Sequence, residues 1–254
     1  MRSPFIMVAP NGARRTKADH PELPMTTPEI VETARASVAA GAQALHLHVR
    51  DADGHHSLDP GRYREALAEL SAHLPDLPVQ ITTEAAGVFD VATQLKCLHD
   101  LKPKWASISV REIERDPNLA ASVYATCADQ DTKVQHILYD VGDIELFHRW
   151  RETGIIDPSQ DSVLLVLGRY SKNQNSDPAE LAPLLTALGP VSRWMVCAFG
   201  QNEHKCLLAT AQRGGDVRIG FENSVLNQSG APYKSNADSL ATFRALYNLQ
   251  SPDR

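Results

Sequence analysis

The sequence predicts one (β/α)8 barrel, a TIM barrel, occupying residues 1–254 as a single domain, and three observations carry that expectation. Eight short apolar runs recur along the chain: PFIMVAP, ALHLHVR, VQITTEA, WASISVR, KVQHILYD, SVLLVLG, RWMVCAFG and DVRIGFE. Divided among the 254 residues they fall about 32 apart, the length of one βα unit. Between them lie segments of helical period, with no long linker, composition shift or low-complexity stretch. That regularity favours a closed barrel over an open doubly wound sheet, and the lack of a glycine-rich dinucleotide fingerprint or a P-loop argues against a nucleotide fold.

The helical segments carry their own start and stop signals. Thr27-Pro28-Glu29 reads as a capped start with proline in the first turn, and Gly41 as its end. Ile30, Ala34 and Val38 are spaced by four within that segment. Asp59-Pro60 opens the next helix, in which Leu67, Leu70 and Leu74 keep a spacing of three and four. Asp177-Pro178 opens another ahead of Leu185, and Gly214-Gly215 closes the helix before the last run.

Composition narrows the class of function. With 43% hydrophobic and 22% charged residues the chain can bury a large core. A net charge of -6 without a basic run gives nucleic acid no footprint, so small soluble ligands are expected instead. Cys97, Cys127, Cys197 and Cys206 form no CxxC pair and read as reduced, buried thiols of a cytoplasmic protein. The apolar stretch of MRSPFIMVAPNG is too short for a signal sequence or a membrane span.

The most informative stretch is GAQALHLHVRDADGHHS, residues 41–57. His46 and His48 stand two apart in an apolar run, so in a strand both project from one face as half of a metal site. A catalytic metal would need a third protein ligand and an open position; the alternative is a capping histidine and a core histidine. In a barrel the candidates lie at the C-terminal ends of the strands. There the sequence offers Asn11 to Thr16, Arg50, Thr82 and Glu84, Ser107 and Ser109, Tyr139-Asp140, Gly168-Arg169-Tyr170, and finally Arg218, Gly220 and Glu222. Arg218 and Glu222, four apart on one face, make either an interior ion pair or, through Glu222, the third ligand. Asp51, Asp53 and Gly54 suit a turn, after which His55 and His56 are expected in solvent.

GARRTKADHPELPMTTPEI, GAQALHLHVRDADG, QITTEA, WASISV and VRIGFEN, in this order and spacing, resemble the beta-keto acid cleavage enzymes. The resemblance implies a metal-dependent barrel, usually with zinc, that is a homo-oligomer. It also implies cleavage of a β-keto acid with acetyl-CoA as co-substrate, giving acetoacetate and an acyl-CoA. Carried over by motif, His46, His48 and Glu222 would hold the metal. Arg218 would polarise the reacting carboxylate and orient the base, Thr82 and Ser107 would bond the substrate, and Arg14 would reach its far end. The chain departs from the family pattern at Glu222-Asn223-Ser224, where Glu-Asp-Asn is usual, at Gly168 to Asn173, where the loop is usually glycine-rich, and at Glu84-Ala85, where glycines are common. Asn223 is an amide where the family has its general base, which leaves it to substrate binding. Glu84, on the face of Thr82, becomes the candidate base unless it pairs with an arginine such as Arg111. A metal-dependent aldolase or hydrolase, or a non-catalytic metabolite-binding protein, would use the same scaffold.

Overall fold

The structure is a computed structural model and describes residues 2–250. Parallel strands β1 (Ile6–Val8), β2 (Ala44–Leu47), β5 (Val79–Thr82), β6 (Trp105–Ser109), β7 (Lys133–Leu138), β8 (Val163–Leu167), β9 (Trp194–Ala198) and β10 (Asp216–Ile219) close into a barrel. Each of the eight apolar runs supplies one of these strands. The remaining two, β3 (Val49–Arg50) and β4 (His56–Ser57), form an antiparallel hairpin above β2. The second run is therefore shorter than its apolar pattern suggests: the ladder ends at Leu47, and the turn at Gly54, with φ +83°, returns the chain over the barrel mouth.

Helices α1 (Thr27–Ala39), α2 (Pro60–His73), α3 (Val91–Leu101), α4 (Val110–Ile113), α5 (Pro117–Asp129), α6 (Val141–Glu152), α7 (Leu181–Leu188), α8 (Glu203–Gln212) and α9 (Asn236–Leu249) surround the strands. The cap of α1 is Thr26 rather than Thr27: its hydroxyl accepts from Glu29 N while the Glu29 carboxylate accepts from Thr26 N. Asp59 caps α2 with Pro60 behind it, as its sequence indicates. Asp177-Pro178 opens a single 3-10 turn that leads into α7. All four cysteines are free and buried. Among the described residues no helix is long and apolar enough to cross a membrane.

Alternation along the strands divides the core into two layers. Ile6, Val8, Leu45, Leu47, Ile81, Ala106 and Ile108 join the layer packed against the helices. Met7, Ala44, Ile137, Leu164, Val166, Met195, Cys197 and Phe199 form a separate apolar cluster of the opposite parity, inside the barrel. Sharing that inward parity are His46, Gln80, Thr82, Ser107, Ser109, Gln135 and Arg218, all buried. Half of the interior is thus an apolar plug, and the other half is polar.

At the opposite end Asp216 fastens the closing seam between β1 and β10. Its fully buried carboxylate accepts from Phe5 N at 2.9 Å, Arg193 Nε at 2.7 Å and Arg2 Nη2 at 2.9 Å. Removing it leaves a half-buried N–H and two solvent-exposed cations without their acceptor. Asp216→Ala should lower unfolding stability by about 1–2 kcal/mol in urea titration; a loss below about 0.5 kcal/mol would mean that solvent replaces the carboxylate at no cost.

Candidate active site

The inward polar residues open into a cleft at the C-terminal end of the strands. Asn11, Arg14, Arg15, His46, Thr82, Glu84, Ser109, Glu112, Tyr139, Arg169, Arg218 and Glu222 are among its walls. His46 and Glu222 line it, and His48 is buried against both: the His46 and His48 Nε2 atoms are 3.1 Å apart. Glu222 Oε2 lies 3.7 Å from His46 Nε2, and Oε1 lies 3.6 Å from His48 Nε2. One nitrogen or oxygen from each residue fits within 4.8 Å of the others.

Charge in this cluster is set by burial. Desolvation, with Arg218 nearby, pushes the His46 imidazolium well below its ordinary range, so the ring is neutral. Burial acts in the opposite sense on Glu222, but Arg218 and the two histidines outweigh it and hold the carboxyl well below the usual range. Two imidazoles and a carboxylate converging at these separations suit a divalent cation. Arg218 reaches Glu222 Oε1 at 3.3 Å and Cys197 Sγ at 3.5 Å, while its buried Nε and Nη1 have no hydrogen-bond partner. A buried guanidinium with open donors at a cleft wall suits an anion.

The loop over the His46, His48 and Glu222 cluster is tied down from below. The Arg50 guanidinium donates to the carbonyls of Gly12, Ala13 and Arg15, binding the β1–α1 loop to the β3–β4 hairpin. Asn11 Nδ2 donates to His48 O at 3.3 Å and Pro24 O at 3.0 Å. Gly12, with φ +65°, passes so close to Glu222 that a Cβ there would stand 2.6 Å from Glu222 Cγ. On that loop Arg14 is exposed at the rim of the cleft, and Arg15 reaches the Phe221 and Asn223 carbonyls.

Thr82 lines the cleft, and its hydroxyl accepts from Glu84 N at 3.0 Å. Ser107 is buried beside it, 3.5 Å from Thr82 Oγ1, and outside the lining; Ser109, two residues further up, faces the cleft with its hydroxyl unpartnered. Glu84 lies between Arg169 Nη2, 3.5 Å from Oε1, and His48 Nε2, 3.9 Å from Oε2. Its arginine is therefore Arg169 and not Arg111, which is engaged by Asp140 and Asp143. His56, expected in solvent, is buried: the hairpin pairs it with Arg50, where its ring packs 5.0 Å from that of His48 and Nε2 donates to Glu84 O. His55 is exposed, as anticipated.

Asn223 stands outside the cleft. Its Nδ2 donates to Glu203 Oε1 at 3.1 Å and to Arg218 O at 3.2 Å. Burial raises the Glu203 carboxyl from 4.5 to about 8, so at neutral pH it is mostly a neutral acid. An amide at position 223 supplies a donor where an aspartate would set a second carboxyl against the first. Glu203 binds its proton more tightly folded than unfolded, so its contribution to stability is lost as pH rises from 4.5 through about 8. Glu203→Gln should lessen the fall in urea midpoint between about pH 5 and about pH 8.5; an unchanged fall would place the titration elsewhere.

Residues 4–250 match the family model for beta-keto acid cleavage enzyme. A 3-keto-5-aminohexanoate cleavage enzyme from Acetoanaerobium sticklandii is 27% identical over 248 residues, covering 94% of this chain and 89% of that protein. A 3-oxoadipate:acetyl-CoA acetyltransferase from Cupriavidus necator is 26% identical over 255 residues, covering 95% and 87%. In fold the chain is similar to the apo structure of ObcA, with a TM-score of 0.72 at 15% identity over 92% of this chain, which spans 64% of the ObcA chain. The match to the family model across nearly the whole chain places this protein in the beta-keto acid cleavage enzyme family.

Proposed function

We propose that this protein cleaves a 3-oxo acid between C2 and C3 with acetyl-CoA, giving acetoacetate and an acyl-CoA, with a divalent metal held by His46, His48 and Glu222. The observation that carries the reading is the adjoining of that three-residue cluster and the two open donors of Arg218 in one cleft. The ligand set of two imidazoles and one carboxylate suits zinc, which when bound would supply Lewis acidity to the substrate's ketone and carboxylate oxygens. The relatives, one a 3-keto-5-aminohexanoate cleavage enzyme and one a 3-oxoadipate:acetyl-CoA acetyltransferase, support the same chemistry.

The residues then take separate tasks. Arg218 receives the substrate carboxylate on Nε and Nη1, and Thr82 and Ser109 present hydroxyls from neighbouring strands to the oxygens where charge develops. Glu84, directed by Arg169, removes a proton from C2. The C2 carbanion attacks the acetyl thioester and releases the CoA thiolate. That thiolate adds to the C3 carbonyl, the C2–C3 bond breaks to give the acyl-CoA, and the acetylated C1–C2 carbanion takes the proton back from Glu84 and leaves as acetoacetate. Arg14 at the rim favours a substrate whose far end is a carboxylate or neutral over one ending in an ammonium group.

Incubating the zinc-loaded protein with acetyl-CoA and a panel of 3-oxo acids should give acetoacetate and a new acyl-CoA, faster for a carboxylate-ended substrate than for its amine analogue. Stabilisation by the acids without turnover would favour a binding protein, and cleavage without acetyl-CoA an aldolase or hydrolase. Among variants, His46→Ala, His48→Ala and Glu222→Ala should lose the metal per folded protein. Glu84→Gln should keep the metal and lose about 10²-fold or more in kcat, and Asn223→Asp should change kcat little. A tenfold gain in Asn223→Asp with Glu84→Gln unaffected would return the base to position 223.

A further inference from the structure

A chain of buried amides runs sideways through the barrel beneath the cleft. His46 Nδ1 is 2.8 Å from Gln80 Oε1, Gln80 Nε2 donates to Gln135 Oε1 at 3.1 Å, and Gln135 Nε2 donates to Met195 Sδ at 3.7 Å. Each residue is 1% exposed or less, so water cannot exchange for a missing partner. The chain crosses strands β2, β5, β7 and β9 from the polar half of the interior to its apolar plug.

Such a chain has two internally consistent directions. In one, each amide turns its oxygen toward His46, which must then donate from Nδ1. In the other every amide is reversed, Gln80 donates to a bare Nδ1, and the single N–H of a neutral His46 sits on Nε2, facing His48 and Glu222. The far end separates the two. A thioether sulfur accepts and cannot donate, so it pairs with the NH2 group of Gln135 and is left against an oxygen lone pair in the reversed chain. Direction then propagates one amide at a time to the imidazole.

We infer that Gln80, oriented by Gln135 against the Met195 thioether, is the positioning residue that holds His46 as its Nδ1–H tautomer and turns a bare Nε2 toward His48 and Glu222. The inference rests on the metal reading for its purpose, since only an unprotonated Nε2 is a ligand. The orientation itself belongs to the protein and is measurable without metal.

In 15N-labelled metal-free protein, long-range 1H–15N correlation should show His46 protonated at Nδ1. Gln80→Leu should release it to Nε2–H, where Glu222 can accept, and should weaken Zn2+ binding in chelator competition by about 10- to 100-fold. Gln80→Glu, which keeps an acceptor on Nδ1, should hold the wild-type tautomer and bind Zn2+ at least as tightly. Gln135→Leu, which frees Gln80 to turn, should populate both tautomers. An Nε2–H ring in the wild type overturns the inference, as does a Gln80→Leu protein with the wild-type tautomer and Zn2+ affinity within about twofold. The metal-free spectrum decides the tautomer whether or not Zn2+ binds, so failure of the metal reading and failure of this inference are distinguishable.

Discussion

Closure of the barrel imposes a constraint from which the rest of the site follows: every second residue of a strand must point into a space with no solvent. Any polar group placed there needs a partner from another strand, since an unpaired one costs about 1–3 kcal/mol. Apolar side chains from β8 and β9 meet the constraint directly. On the β2, β5, β6 and β10 side it is met by mutual pairing: imidazole with amide, amide with amide, hydroxyl with hydroxyl, guanidinium with carboxylate. The donors left open, on Arg218 and Ser109, lie at the cleft.

Electrostatics in the cleft follows from the same enclosure. Arg218 keeps Glu222 ionised and disfavours a second cation on His46, so one buried guanidinium sets an anionic carboxylate beside a neutral imidazole. At Glu203 burial outweighs the Gly220 and Asn223 hydrogen bonds and the nearby Arg15, and the carboxyl stays largely protonated near neutral pH. The largely buried Glu222 with an arginine in hydrogen-bonding reach and the fully buried Glu203 without one thus hold opposite charge states.

Much of this architecture is legible in the residues. The eight runs and their spacing foreshadow the eight barrel strands, and the two-residue step from His46 to His48 places both rings beside Glu222, which lies 174 residues beyond His48. What stays hidden is the height at which neighbouring strands align. Thr82 pairs in register with Ser107, yet Thr82 lines the cleft while that serine is enclosed and Ser109, one layer higher, reaches the cleft. Parity alone does not distinguish them, because stagger belongs to the closed sheet and not to any one strand. Gln80 and Gln135 read as stray polar residues in apolar runs until their strands are placed. His56 follows an evident turn, yet its burial depends on a hairpin folding back over the barrel mouth. The partner of Glu84 came from the distant loop bearing Arg169, beyond any local pattern.

The anchoring of the β1–α1 loop by Arg50 bears on how such a protein diversifies. Arg50 grips main-chain oxygens at Gly12, Ala13 and Arg15, groups present whatever the side chains are, and leaves the Arg14 side chain untouched. Position 14 is thereby a replaceable tip on a fixed mount. Residues at the cleft rim can be exchanged there by single codon changes while the His46, His48 and Glu222 cluster below keeps its shape.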